Sequence, residues 1–263
     1  MKKKVVVGMS GGVDSSVTAL LLKQQGYDVV GLFMRNWEYG IKGSQCPNRI
    51  EFEDAKKVGE LIGIEVIGKD FVEEYRTKVF DVFLEGLKKG LTPNPDILCN
   101  REIKFNVFLN EAKKMGADMI ATGHYAKIAF YKDHYVLDTP KDNSKDQSYF
   151  LHALSSEQLS HAMFPLGDLT KKEVREIARE HNLPVSDKKD STGICFIGNQ
   201  RFDDFITQHL KAIPGDIIDE NGKVLGKHKG LICYTLGQRK GIGLGGIKET
   251  ESANRTHKPW FSA

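Results

Sequence analysis

The sequence predicts an α/β protein with a doubly wound parallel sheet, followed by a small β-rich domain. Apolar runs of strand length alternate with segments of helical period from the N-terminus to residue 122, as in parallel sheets covered by helices. From residue 213 onward, glycines become frequent and apolar patches become short, which is typical of a small all-β module. We therefore expect an α/β domain with a helical extension over residues 1–210 and a β-rich domain over residues 211–263.

The individual elements follow from hydrophobic periodicity. Apolar runs predict the strands of the sheet at residues 5–7, 29–33, 64–67 and 118–122. Helical spacing predicts helices at residues 17–22, 50–62, 71–87, 103–115, 147–154, 156–161, 171–182 and 202–210. Residues 127–138 predict a two-stranded ribbon that turns at Lys132 and Asp133. Pro93 and Pro95 oppose a helix at the start of the segment that precedes residue 103.

Composition excludes several classes of protein. The 263 residues are 40% hydrophobic and 28% charged, and no apolar run approaches 18 residues, so no transmembrane helix is predicted. The basic residues 2–4 precede an apolar run that is broken by glycines and Asp14, which is not a signal peptide. We expect a cytoplasmic protein without a membrane partner.

Charge is nearly balanced along the chain as a whole. A net charge of +3 does not indicate a polybasic protein, and DNA is not an expected partner. Basic residues are more frequent from residue 223 onward. This local positive charge is equally compatible with a surface that contacts RNA phosphates and with a solvated basic tail.

The four cysteines, Cys46, Cys99, Cys195 and Cys233, are widely separated. No C-x-x-C pair occurs, which disfavours a zinc ribbon. In a reducing compartment they are expected as thiols, unless two of them meet in a redox step. Cys99 and Cys195 lie in polar segments that contain proline or glycine, which favours reactive thiols over buried structural ones.

The strongest local signal follows the first predicted strand. It consists of Gly8, Met9, Ser10, Gly11, Gly12, Val13, Asp14, Ser15 and Ser16. A strand–turn–helix junction directs backbone N–H groups and the helix dipole at one point, and the glycines let an anion approach closely. Neither a Walker A loop nor a dinucleotide-binding fingerprint is present. A plain Gly/Ser turn is the alternative, but the order S-G-G-x-D-S is similar to the PP-loop ATP pyrophosphatases, which bind the pyrophosphate of ATP and transfer AMP.

An ordered series of motifs narrows the resemblance. They are N-P-D at residues 94–96, C-N at 99–100, I-K-F at 103–105, A-T-G-H-Y at 121–125, K-D-Q-S-Y-F at 145–150, S-T-G-I-C-F-I at 191–197 and Y-T-L-G-Q-R-K-G at 234–241. In this order they closely resemble the bacterial tRNA-specific 2-thiouridylases, over essentially the whole chain. That family continues into a C-terminal β-barrel that contacts tRNA, and we expect this barrel to be absent here. Residues 1–210 would then be the PP-loop catalytic domain.

The resemblance implies an activity and the roles of its central residues. A PP-loop thiouridylase adenylates the wobble uridine in the anticodon loop of tRNA and then transfers sulfur from a cysteine persulfide to give 2-thiouridine. It implies ATP and magnesium (Mg2+), with Asp14 as the metal ligand, and a persulfide sulfur-donor protein as a partner. Cys195 would carry the persulfide, Cys99 would be the nucleophile and disulfide partner, and Asp96 would be a general acid or base.

The resemblance also implies binding residues. Met34 and Gly123 would line the adenine site beside the phosphate loop. The tRNA would contact Asn94, Pro95, Asp96, His124, Lys145, Asp146 and Gln147. A proline turn, a structural histidine and a solvated loop are the alternatives for these positions. Two rival functions stay open: an amidating PP-loop synthetase, which needs neither cysteine, and a tRNA-binding form without catalysis.

Overall fold

The computed structural model describes residues 2–38, 46–190, 193–198, 200–238 and 240–244. The chain forms two compact units. The first contains Met1–Phe80 and Pro95–Phe196, and the second contains Asp81–Asn94 and Ile197–Ala263. Two glycines and a proline predict a loop at residues 40–48, most of which lies outside the described residues. The same holds for Ser191 and Thr192 of the S-T-G-I-C-F-I motif, for Arg239 and for the basic tail after residue 244.

A five-stranded parallel sheet forms the centre of the first unit, as predicted. Its strands are β1 (Lys4–Met9), β2 (Asp28–Arg35), β3 (Val66–Asp70), β4 (Met119–Ala121) and β7 (Ala162–Met163), in the order β3-β2-β1-β4-β7. The chain places β2 and β3 on one side of β1 and then crosses to the other side for β4. The switch point of the sheet therefore lies between β1 and β4, where α/β proteins bind ligands at the carboxyl ends of the strands.

The strand β7 was not predicted. Its two residues pair in parallel with Ile120 and Ala121 of β4. Two residues are too few to show an alternating pattern, so this strand depends on its tertiary partner rather than on its own sequence.

Helices cover the sheet. In the first unit they are α1 (Val13–Gln24), α2 (Pro47–Ile62), α3 (Val72–Tyr75), α5 (Pro95–Leu98), α6 (Phe108–Lys114), α7 (Ser148–Leu151), α8 (Ser156–Ser160) and α9 (Lys171–Glu180). The second unit contains two further helices, α4 (Asp81–Lys88) and α10 (Phe202–His209), among its described residues. Helix α1 is largely buried because its apolar side chains belong to a core formed with β1, α2 and α9. No helix among the described residues is both long enough and apolar enough to cross a membrane.

Two helical predictions differ from the structure in a way that matters for the site. Pro95 does not prevent a helix but begins α5, because proline at the first helical position gives up only an N–H group that would be unpaired anyway. The chain then continues as a π-helix over Cys99–Val107, with a kink at Phe105. A second π segment, Arg76–Phe80, interrupts the helix predicted over residues 71–87, and the boundary between the two units follows Phe80.

The predicted ribbon is confirmed as a hairpin of β5 (Lys127–Tyr131) and β6 (His134–Asp138). Lys132 and Asp133 have φ values of 44° and 63°. Left-handed backbone at both central residues is the geometry of a type I′ turn, whose twist matches that of the strands it joins.

The second unit contains one antiparallel pair among its described residues. The pair consists of β8 (Gly215–Ile218) and β9 (Val224–His228), with an irregular register between Ile217 and Ile218. Within the same unit, the ring of Phe83 packs edge-on against that of Phe202, with 6.3 Å between the centroids.

Candidate active site

The predicted phosphate loop connects β1 to α1 at the switch point of the sheet. Ser15 Oγ accepts a hydrogen bond from the Ser10 N–H at 3.1 Å and lies 3.2 Å from the Gly12 carbonyl oxygen, so the turn closes on itself. Gly12 is the N-cap of α1, and no described side chain caps this helix end. The first amides of α1 can therefore bind an anion, and binding of the ATP phosphates at this loop stays a prediction.

Close contacts with neighbouring backbone atoms explain why two positions near the loop carry glycine. Gly11 has a φ of +71°, and a Cβ atom there would lie 2.3 Å from the Glu51 carbonyl oxygen. A Cβ atom at Gly123, which follows β4, would lie 2.8 Å from backbone atoms of Asp14 and Ser15. Both positions need glycine, since any larger residue would push the start of α1 away from its neighbours.

Met34 lies at the same end of the sheet. Its Cε atom would be 3.2 Å from a Cβ atom at Gly8, so the Met34 side chain packs across the end of β1. The structure thus brings Met34, Gly8 and Gly123 to the phosphate loop, and their role in binding adenine stays a prediction.

The Asp14 carboxylate is occupied by protein groups. Lys171 Nζ donates to both of its oxygens at 2.8 Å, and the Tyr125 hydroxyl donates to Oδ1 at 2.9 Å. These three hydrogen bonds leave a lone pair of the carboxylate available, so the role of Asp14 as a magnesium ligand stays a prediction. In the part of the chain that the structure describes, no group of three or more His, Cys, Asp or Glu side chains is arranged to hold a metal.

Ion pairs between side chains link the segment that carries Cys195 to the phosphate loop. Lys171 Nζ also pairs with Asp190 Oδ1 at 2.8 Å, and Lys145 Nζ pairs with Asp190 Oδ2 at 3.0 Å. Desolvation acts to raise the pKa of Asp190, but hydrogen bonds from the two lysines outweigh it and lower that pKa to about 2.

Lys188 adds a further link between the same segment and the loop. Its Nζ donates to the Gly11 carbonyl oxygen at 2.9 Å and to Asp54 Oδ2 at 2.8 Å. Asp190 and Lys188 therefore hold the chain before Cys195 against both ends of the phosphate loop.

Cys99 and Cys195 come into one neighbourhood although 96 positions separate them in the sequence. All four cysteines are thiols in the structure. The charge state of Cys195 acts on the pKa of Cys99, and the charges of Asp96 and Lys104 act on both thiols, so these four side chains lie within electrostatic range of one another.

The two thiols differ in exposure. Cys195 is exposed, whereas Cys99, at the start of the π-helix, is only 4% exposed. The polar flanks of Cys99 led us to expect a more accessible thiol; the helix that begins at Pro95 turns it inward. Desolvation raises the pKa of Cys99 to about 12 and also raises that of Cys195. Both thiols are therefore protonated at neutral pH.

Asp96 is half-buried beside them. Desolvation raises its pKa, and Lys104 acts in the opposite direction. A carboxyl group with a raised pKa suits a residue that accepts and returns a proton. Asn94 and Pro95 precede Asp96 in the chain, and Asn94 is the last residue of a segment that belongs to the second unit.

His124 is buried and hydrogen-bonded on both ring nitrogens. Its Nδ1 lies 2.7 Å from Thr122 Oγ1, and its Nε2 lies 3.4 Å from Lys104 Nζ. Desolvation lowers the pKa of His124 well below its ordinary value, so the imidazole is neutral. Because an ammonium only donates, we assign Nε2 as the acceptor and Nδ1 as the nitrogen that donates to Thr122. These contacts support the structural alternative for His124, and its contact with tRNA stays a prediction.

The K-D-Q motif is held by intramolecular contacts. Lys145 pairs with Asp190, the Asp146 carboxylate accepts from the Ser148 N–H at 2.9 Å, and Gln147 Oε1 accepts from the Tyr125 N–H at 2.9 Å. These bonds fix the segment on the first unit. Nothing in the structure tests whether these residues contact tRNA.

Several residues of the site were not singled out from the sequence. They are Lys104, Thr122, Tyr125, Lys171, Lys188 and Asp190. Lys104, Thr122 and Tyr125 lie inside quoted motifs and could have been found there. Lys171, Lys188 and Asp190 have no local signal, since their partners are distant in sequence.

Comparisons with known proteins identify the family. Residues 3–199 match the family described as tRNA methyl transferase HUP domain, and residues 203–262 match the tRNA methyl transferase PRC-barrel domain. A protein of Aliarcobacter butzleri (strain RM4018) named tRNA-specific 2-thiouridylase MnmA 2 is 91% identical over 99% of this chain and 71% of its own length. The tRNA-specific 2-thiouridylase MnmA of Methylobacillus flagellatus is 53% identical over 100% of this chain and 72% of its own length. Among solved structures, a 4-thiouridine synthetase in complex with RNA and bound ATP aligns with a TM-score of 0.48 and 14% identity, over 78% of this chain and 50% of that one.

The family models and the two relatives show that the chain belongs to the tRNA-specific 2-thiouridylase family of enzymes.

Proposed function

We propose that this chain replaces oxygen 2 of the wobble uridine of tRNA by sulfur, in a reaction that consumes ATP and releases AMP and pyrophosphate. The observation that best supports the proposal is the meeting of Cys99 and Cys195 in one unit, beside Asp96 and linked through Lys188 and Asp190 to the phosphate loop. Two thiols within range of each other suit sulfur transfer, and an amidating synthetase has no use for them.

The first step activates the uridine. Oxygen 2 of the uracil attacks the α-phosphorus of ATP, the bond from that phosphorus to the bridging oxygen breaks, and pyrophosphate leaves. The amides at the start of α1 stabilise the charge that builds on the leaving group, as preorganised donors do in other acyl and phosphoryl transfers. Asp96 takes up the uracil proton that is lost when oxygen 2 becomes the nucleophile.

The second step transfers sulfur. The terminal sulfur of a persulfide on Cys195 attacks ring carbon 2, the bond to the adenylated oxygen breaks, and AMP leaves. The Cys99 thiolate then attacks the Cys195 sulfur and forms a Cys99–Cys195 disulfide, while the electron pair of the broken S–S bond stays on the sulfur of 2-thiouridine. An external thiol reductant returns the disulfide to two thiols, and a persulfide-bearing donor protein reloads Cys195.

The tRNA-binding residues remain part of the proposal. Asn94, Pro95 and Asp96 would read the flipped uracil, and Lys145, Asp146 and Gln147 would contact the RNA backbone together with His124. A catalytic domain of residues 1–210 followed by a β-rich domain of residues 211–263 likewise stays a prediction. Mg²⁺ would be held by Asp14 together with phosphate oxygens of ATP, and it would offset the negative charge of the leaving pyrophosphate.

The test is reconstitution. The purified chain is incubated with unmodified tRNA, ATP, Mg²⁺ and a persulfide donor, and nucleosides of the digested tRNA are analysed by mass spectrometry while AMP is measured in parallel. We expect 2-thiouridine that requires ATP, with one AMP formed for each thiolation. AMP formation without any thiolated nucleoside would contradict the proposal and favour another PP-loop adenylating enzyme.

A further inference from the structure

A glutamine of α8 is hydrogen-bonded to the π-helix that carries Cys99. Gln158 Nε2 donates to the Phe105 carbonyl oxygen at 2.9 Å and to the Arg101 carbonyl oxygen at 3.1 Å. An amide nitrogen has two donors, so both are used on this helix. The helix kinks at Phe105, where φ is −105° and ψ is 16°, and a side chain that enters a helical hydrogen-bond ladder is one cause of such a kink. Gln158 thus contacts the helix at the kink and one turn before it.

A further hydrogen bond reaches the same helix directly beside Cys99. Asn100 is only 3% exposed, and its Nδ2 donates to the Phe150 carbonyl oxygen at 2.9 Å. Phe150 lies in α7 and Gln158 in α8, so one stretch of chain supplies both contacts. Tertiary hydrogen bonds therefore hold the π-helix on either side of Arg101, starting one residue after Cys99.

The cap of α8 does not explain why residue 158 is a glutamine. Gln158 Oε1 accepts from the Ser155 N–H at 2.9 Å, and the Gln158 N–H donates to Ser155 Oγ at 3.2 Å, which completes a capping box. Thr170 and Glu173 form the same box at the start of α9. Because a carboxylate accepts but does not donate, a glutamate at residue 158 could cap α8 but could not bind the carbonyls of the π-helix.

We propose that Gln158 is a positioning residue of the sulfur transfer: its amide group holds the kinked π-helix and thereby keeps Cys99 in its buried position. The proposal rests on the function proposed above, in which Cys99 attacks the Cys195 sulfur. A nucleophile needs a defined position, since a displacement of about 1 Å can slow a reaction by about a hundredfold.

The experiment separates the contact with the π-helix from the cap of α8. Gln158→Glu is the decisive variant, because it keeps the capping box and removes both donors to the π-helix. Ser155→Ala is the reciprocal variant, because it removes the hydroxyl of the cap and keeps the Gln158 amide. Glu157→Gln changes an exposed residue of the same helix and is the matched control.

Two rates are measured in the full chain without ATP or tRNA. One is the alkylation of Cys99 by iodoacetamide, followed by mass spectrometry of its peptide. The other is the hydrogen–deuterium exchange of the amides of residues 101–107, followed by the same method. A thiol that is 4% exposed reacts only when its helix opens locally, so both rates report the opening of the π-helix.

We expect Gln158→Glu to speed the alkylation of Cys99 by about ten- to a hundredfold, and amide exchange should accelerate with it. Ser155→Ala should change both rates by less than about fivefold, and Glu157→Gln should match the wild type. An unchanged alkylation rate in Gln158→Glu would overturn the proposal. Faster alkylation without faster exchange would overturn it too, because the pKa of the thiol would then be the cause. Equal acceleration in Ser155→Ala would assign the effect to the cap and would also overturn it.

A second variant and the activity complete the test. If Gln158→Glu does not fold, Gln158→Met, which adds no charge, should give a smaller acceleration, and unchanged rates would overturn the proposal equally. In the reconstituted reaction, Gln158→Glu should lower kcat for 2-thiouridine formation by about tenfold and leave the KM for tRNA within about threefold. An effect on KM alone would contradict a positioning role. Alkylation and exchange need no tRNA, so a wild-type chain that forms no 2-thiouridine would refute the proposed function and leave these two results independent.

Discussion

The phosphate loop and the two thiols belong to one unit, yet they are built on opposite electrostatic principles. At the loop, each carboxylate contacts cations: Asp14 contacts Lys171, and Asp190 contacts Lys145 and Lys171, all within 3.0 Å. At the thiols, desolvation dominates and Lys104 is the cation that acts on both cysteines. The loop is thus organised in advance for a polyanion, whereas the thiols rest protonated because desolvation dominates there.

The largest expected effect follows from replacing the two cysteines, which should stop sulfur transfer but leave the phosphate loop functional. Cys195→Ser and Cys99→Ser should each lower 2-thiouridine formation by on the order of a thousandfold or more, since serine carries no persulfide and cannot open one. Pyrophosphate release in the first turnover, in the presence of tRNA, should change by less than about threefold, because the loop is intact. Mass spectrometry of the tRNA and a pyrophosphate assay measure the two, with Cys46→Ser as the control. Unchanged 2-thiouridine formation in both variants would show that neither thiol takes part in the sulfur transfer.

The second effect concerns the shape of the loop. Gly11→Ala combines a left-handed φ with a clash against the Glu51 carbonyl, so we expect the free energy of unfolding to fall by about 2–4 kcal/mol and AMP formation to be lost. Gly63→Ala has a similar φ of +70° but no atom within 4 Å, and should cost only about 1 kcal/mol. Gly12→Ala, with a φ of −102°, should be milder still. Urea unfolding compares the three, and equal costs for Gly11→Ala and Gly63→Ala would mean that the clash is absent.

The third effect tests the ion pairs of the loop. Lys171→Met removes a cation that is 13% exposed and leaves two carboxylates without it, so the apparent affinity for ATP should fall by about tenfold and the free energy of unfolding by about 1–3 kcal/mol. Lys172→Met is the matched control, because its side chain is 86% exposed. Isothermal titration with ATP measures the affinity. Equal behaviour of the two variants would show that Lys171 does not organise the loop.

The smallest effect depends on pH. The pKa of His124 is lowered by folding, so below pH ~6.5 the unfolded chain binds a proton that the folded chain does not, and stability is lost as the pH falls. This residue contributes at most about 1.4 kcal/mol per pH unit to the free energy of unfolding in that range. His124→Asn should remove that contribution between pH 7 and 5, whereas the variant His134→Asn, in an exposed part of the hairpin, should not. Urea unfolding at several pH values measures the slope, and an unchanged slope in His124→Asn would contradict a buried neutral imidazole.

The loop could be read from the sequence because its function is local. The strand, the glycines and the helix start are consecutive, and hydrophobic periodicity predicted β1, α1 and the parallel sheet around them. The hairpin was predicted for the same reason, since its turn and both strands lie within twelve residues.

The thiol site could not be read in the same way because it depends on tertiary structure. The burial of Cys99 follows from a helix that begins at Pro95, and hydrophobic spacing does not distinguish the π-helix that follows from an α-helix. The links from Lys171 to Asp14 and Asp190, and from Lys188 to Gly11, join segments that are up to 177 residues apart. Such pairs leave no pattern in a single sequence.

The most direct test of the central claim is a single turnover of enzyme loaded with persulfide. The chain is charged on Cys195, freed of excess donor, and mixed with ATP and tRNA without a reductant. Peptide and nucleoside mass spectrometry then follow the two products together. We predict that a Cys99–Cys195 disulfide and 2-thiouridine appear at the same rate and in equal amounts. Thiolated tRNA that forms while both cysteines remain unlinked would contradict the account.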